Sequence, residues 1–192
     1  MASVVKPKLD VSEYLALERA SRDVKHEYFQ GEVFAMAGAS ESHNLIVGNL
    51  VREVGNQLKG KPCKTYPSDL RLKISATGLY TYPDAIVVCG KAEFEDSELD
   101  TLINPTVLFE VLSPTTEAYD RGKKSQSYRS IESLQEYVLI WQDQVRVEHY
   151  VRHDRGKWLL SETTQLEAIL DLGSIGCQLA LADVYDRVET LP

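Results

Sequence analysis

Val107-Leu108-Phe109-Glu110-Val111-Leu112-Ser113 sets one carboxylate inside an otherwise apolar run, and Pro83-Asp84-Ala85-Ile86-Val87-Val88 opens a similar run with another. A strand that is apolar on both faces is central and covered on both sides. A lone carboxylate there is costly or becomes protonated unless a cation or a charged donor compensates it. Oxygen ligands at the ends of adjacent strands suit Mg2+, which completes its shell with water and substrate phosphate. The bland alternative is an ion pair with a residue such as Arg71 and no chemistry, since structural ion pairs perturb carboxylates too.

Outward from these two strands the pattern is mixed. Asp10-Val11-Ser12-Glu13 reads as a helix cap with a carboxylate at N3, opening a short helix through Tyr14, Leu15 and Leu17. Lys25–Phe29 and Glu32–Met36 flank Gln30-Gly31 as a tight hairpin, with Glu32 on the face of Phe34 and Met36. From Ser40 to Leu58, Ile46, Val47, Leu50, Val51, Val54 and Leu58 make one helical stripe, which His43 extends toward the N-terminus. Strands are expected at Asp69–Ile74, Pro83–Cys89, Thr106–Leu112, Glu136–Trp141, Gln144–Val151 and Trp158–Glu162, with Lys91–Asp100 a solvated loop. A second helix is expected from Glu117 to Ile131, capped by Thr115 or Thr116, and a short closing helix within Leu181–Val188. The fold class is therefore α+β, a central mixed sheet with one helix on each side.

Asp120, Lys124 and Tyr128 recur at i, i+4 and i+8 on the helix that follows the Glu110 strand. Taken alone, Asp120 and Lys124 are a surface pair contributing a few tenths of a kcal/mol. Their place just after that strand brings them toward its end. The net charge of −8 opposes general nucleic-acid binding, because Lys and Arg neutralisation of phosphate supplies most non-specific affinity. It leaves room for a nuclease whose acidic centre is offset by metal ions and whose basic residues are local, with Arg71, Lys73, Lys123 and Arg129 as candidates. Cys63, Cys89 and Cys177 are odd in number and far apart, so no disulfide is expected and all three are read as small hydrophobes in a reducing compartment. Without an export signal or a long apolar run, the expected location is cytoplasmic, with no membrane partner.

Gly31-Glu32, the helix led by His43, Pro83-Asp84, Glu110-Val111-Leu112-Ser113-Pro114, Asp120-x-x-x-Lys124-x-x-x-Tyr128 and Glu136-Tyr137 occur in that order. This set resembles the Uma-type family of restriction-endonuclease-like proteins, from about Tyr28 through Trp141 and more weakly beyond. The resemblance implies the PD-(D/E)XK nuclease core, in one domain over 1–192, with Asp84 and Glu110 as its two acids and Mg2+ or Mn2+ as cofactor. The lysine usually found two residues after the second acid is missing, since Leu112 stands there, and the family pattern points to Lys124 as its replacement, with Lys123 second. Glu32 matches the acid supplied by the core's first element, and His43, Asp120 and Tyr128 are accessory candidates.

His149 and His153 have the i, i+4 spacing of helical zinc ligands, but their segment alternates like a strand, which keeps them from converging. Ser68 and Ser113 lack a nucleophile-elbow context. Two functions follow: a metal-dependent endonuclease acting on DNA, or a non-catalytic nuclease-fold module for binding or regulation in a larger assembly. A homodimer is left open.

Overall fold

A computed structural model of the chain describes residues 8–189. The capping box of Asp10 and Glu13 starts helix α1, Val11–Ala20. The hairpin β1 (His26–Phe29) and β2 (Glu32–Ala35) turns on Gln30 and Gly31, both at positive φ, the geometry that matches strand twist. Ser40 caps α2, Glu41–Leu58, through the amide of His43. Six strands follow: β3 (Cys63–Pro67), β4 (Arg71–Ile74), β5 (Leu79–Thr81), β6 (Ala85–Cys89), β7 (Thr101–Leu102) and β8 (Val107–Leu112). Between β8 and β9 the expected single helix is three pieces, α3 (Glu117–Tyr119), a π turn over Asp120–Lys124, and α4 (Ser125–Tyr128). The remainder is β9 (Glu136–Trp141), β10 (Val147–Arg152), β11 (Trp158–Thr163), β12 (Ile169–Leu172), β13 (Cys177–Ala180) and α5 (Leu181–Val184).

A six-stranded sheet in the order β11-β10-β9-β8-β6-β3 forms the centre, with β8 and β9 parallel and joined through the helical crossover. Side chains of β8 alternate between two cores. Val107, Phe109 and Val111 face α2, β12, β13 and α5, whereas Leu108 and Leu112 face Tyr128, Ile131 and Leu134 of the crossover. Each fully buried Val, Leu or Phe of this strand contributes roughly 1.5–3 kcal/mol, which offsets the cost of holding Glu110 among them. A five-stranded sheet, β2-β1-β5-β4-β7, adds Leu72, Ile74, Leu79 and Leu102 to the second core. This is the expected α+β architecture of mixed sheets flanked by helices.

Cys63 and Cys89 overturn the expectation of three free thiols. Antiparallel pairing of β3 with β6 sets them directly opposite one another, and they form a disulfide, leaving only Cys177 free and buried among the described residues. Sequence separation concealed a cross-strand neighbour. Strands β3, β5, β7, β12 and β13 also escaped the sequence reading, being short or lacking a clean alternation. Among the described residues no helix is long and apolar enough to cross a membrane.

Candidate active site

Antiparallel β6 and β8 place Ala85 opposite Phe109, so one step earlier Asp84 stands across from Glu110. Glu110 alternates with Leu108 and Leu112 and so shares the face covered by the crossover. It is 4% exposed. Its Oε1 accepts from the Tyr128 hydroxyl at 2.6 Å and lies 2.9 Å from Lys124 Nζ. Lys124 Nζ is also 3.4 Å from Asp120 Oδ1 and 3.4 Å from Glu27 Oε1. Asp84 is fixed from two sides: Oδ2 accepts the Val111 amide at 2.7 Å, and Oδ1 is 3.0 Å from His43 Nε2.

The π turn explains how residues spaced by four all face inward. In an ordinary helix a step of four overshoots the 3.6-residue turn, and the wider i→i+5 turn absorbs the overshoot. The Ser125 amide donates to the Asp120 carbonyl across this turn, and Asp120, Lys124 and Tyr128 are all buried. Tyr137, one strand over, donates its hydroxyl to the Asp120 carbonyl at 3.4 Å and packs edge-on against Tyr128.

Burial pushes the Glu110 carboxyl well above its usual range; Lys124 pulls it down, while Asp120 and Asp84 push it further up. Burial disfavours the Lys124 ammonium, but Glu110, Glu27 and Asp120 outweigh this and hold its pKa well above the ordinary lysine value. Lys124 is therefore charged, and the surrounding acids remain short of positive charge. Tyr128 is pushed up by burial and by Glu110, so its hydroxyl keeps its proton and donates it.

The expected residues are sorted by this geometry. Glu110, Asp120, Lys124 and Tyr128 are in direct contact, and the Asp84–His43 pair stands beside them, close enough for Asp84 to raise the Glu110 carboxyl. Lys123, next to Lys124, is exposed, as its place off the stripe predicts. Glu32 is not brought in: it lies exposed on β2, the edge strand of the five-stranded sheet. Glu27 takes that place from β1. Pairing of Glu27 with Phe34 and of Phe29 with Glu32 puts both acids on one face, one strand apart. Only β1, flanked by β2 and β5, is covered, and sheet order is not written in local pattern. The available signal was Glu27 itself, an acid beside Tyr28 and Phe29. Arg71 does not compensate Asp84 or Glu110; it is buried against Asp100, Thr101 and Tyr82. Lys73 is engaged by Glu95 at 2.6 Å, and among the groove candidates Lys123 and Arg129 remain exposed. His149 lies on strand β10, bonded to Glu136, as the alternation required.

The donor set suits a hard divalent cation. Asp84, just before β6, and Glu110 on β8 are oxygen donors, both partners of Glu110 use Oε1, and three carboxylates face one ammonium. Among the described residues no three His, Cys, Asp or Glu side chains form a ready-made cage.

Residues 11–182 match the Uma2 family, described as "Putative restriction endonuclease". The chain is 39% identical over 179 residues to "Uncharacterized protein slr1290" of Synechocystis sp., covering 93% of this chain and 92% of the relative. It is 38% identical over 154 residues to "Uncharacterized protein sll1609" of the same organism, covering 80% and 86%. Its fold superposes, at a TM-score of 0.76 and 18% identity, on a crystal structure titled "a putative nuclease belonging to DUF820" from Anabaena variabilis, covering 94% of this chain and 99% of that one.

Proposed function

This chain belongs to the Uma2 family, and from that premise we propose that it is a metal-dependent nuclease hydrolysing DNA phosphodiester bonds. One observation carries the reading. Lys124, the chain's replacement for the missing strand lysine, sits 2.9 Å from Glu110 with Asp84 in register across the sheet. Asp84 and Glu110 would hold Mg2+ or Mn2+, which when bound supplies Lewis-acid polarisation of the phosphodiester. His43 and the Val111 amide orient Asp84, and Tyr128 orients Glu110. Lys124 donates toward the attacking water or a phosphate oxygen, stabilising the charge that develops in the transition state. Asp120 and Glu27 keep that ammonium protonated.

The test is nicking of supercoiled DNA by purified protein with Mn2+ or Mg2+. Asp84→Ala and Glu110→Ala are expected to abolish nicking while circular dichroism stays unchanged. Nicking that survives either substitution overturns the assignment. One feature favours the second reading, a non-catalytic module: Lys124 already touches three carboxylates, as a purely structural ion cluster would. Calorimetric titration with Mn2+ separates the two, because that module has no need of the ion.

A further inference from the structure

An ammonium group has three N–H donors, and Lys124 has three carboxylate neighbours. Each comes from a different part of the fold: Glu110 from β8, Asp120 from the π turn, and Glu27 from β1. Glu110 and Asp120 belong to the strand and crossover that carry the site. Glu27 does not. It is 8% exposed, and the same Oε1 that approaches Lys124 also accepts the hydroxyl of Thr81, a fully buried residue ending β5. A lysine stem has four rotatable carbons and loses much rotamer freedom when held. Two acceptors leave its head free to swing about them, whereas a third from another direction fixes it.

We propose that Glu27 is a positioning residue, clamped by Thr81, which sets where the Lys124 ammonium stands and acts on substrate only through it. The inference rests on the nuclease reading for its catalytic consequence, but the placement of Lys124 can be measured without any turnover. In metal-free protein, acetylation of Lys124 by an N-hydroxysuccinimide ester, read by peptide mass mapping, reports how well the amine is held. Glu27→Gln keeps an acceptor for Thr81 and removes the charge. It is expected to raise the Lys124 acetylation rate by about tenfold, the loss of one ion-pair partner. Turnover in Mn2+ is expected to fall by about the same factor, with KM and calorimetric Mn2+ affinity nearly unchanged. Glu27→Asp, which restores the charge on a shorter stem, is expected to recover part of both effects. Thr81→Val, which removes one partner of Glu27 without touching Lys124, is expected to shift both in the same direction by less, and it serves alone if Glu27→Gln does not fold.

Unchanged Lys124 acetylation in folded Glu27→Gln and Thr81→Val overturns the proposal. So does a loss of Mn2+ affinity equal to the loss of turnover, which would make Glu27 a ligand. If the parent protein cleaves no DNA and acetylation still responds to Glu27, the positioning stands and the nuclease reading falls.

Discussion

On the proposed reading the chemistry turns on Lys124, because Leu112 leaves the usual strand position without a charge. Lys124→Ala is expected to lower turnover by roughly a hundredfold or more, the cost of removing one transition-state electrostatic group, with Mn2+ affinity largely retained. Lys123→Ala, on an exposed neighbour, is expected to change the same nicking assay little. The two acids and this lysine were readable because they break patterns: a charge within an apolar strand and a stripe on the next helix. Glu27 broke no such pattern. Its burial comes from β5 pairing across Tyr28 and Tyr80, a contact between segments about fifty residues apart.

The elements that were legible are those with a strong period of their own. The stripe in α2, the run in β9 and the Gln30-Gly31 turn appear with nearly the expected bounds. The crossover was read as one regular helix, since the four-residue spacing of Asp120, Lys124 and Tyr128 also suits an uninterrupted α-helix. Gly122 lies in that turn at negative φ, and a methyl group there would meet nothing within 4 Å. Gly122→Ala should therefore stabilise the protein by about 0.4–1 kcal/mol in urea unfolding, through the unfolded chain. Gly31→Ala should do the opposite. At φ +89, its added carbon would lie 2.8 Å from Lys8 Cβ, so the hairpin must shift to accept it. At the start of β9, burial raises the Glu136 carboxyl, but its bonds to His149 and Ser174 outweigh this and hold it below its usual range. Its stabilising contribution is thus complete above the ordinary carboxylate pKa and is lost as pH falls through the lowered folded value. Glu136→Gln is expected to lower the melting temperature at pH 7 and to flatten its decline in acid.

At the scale of the whole molecule, the proposed function asks a chain of charge −8 to receive a polyanion. On that reading, exposed Lys123 and Arg129 on the crossover offer a polyanion positive charge outside the site itself, each contributing little alone. The Cys63–Cys89 bond was invisible in the sequence because it depends on strand register, and it spans a sequence separation of 26 residues. Chain-entropy reasoning assigns a bond of that span about 3.5 kcal/mol. Cys63→Ser with Cys89→Ser is expected to lose stability of that order in urea unfolding, and dithiothreitol is expected to change the parent protein but not the double variant. The same bond makes a covalent ring that contains β3, β4, β5 and β6, and with them Thr81 and Asp84. A protease cutting the turn at residues 75–78 would open the ring without releasing either arm. The nicked chain would migrate as one piece until a reductant was added, and would then separate into one fragment bearing Glu27 and another bearing Asp84, Glu110 and Lys124.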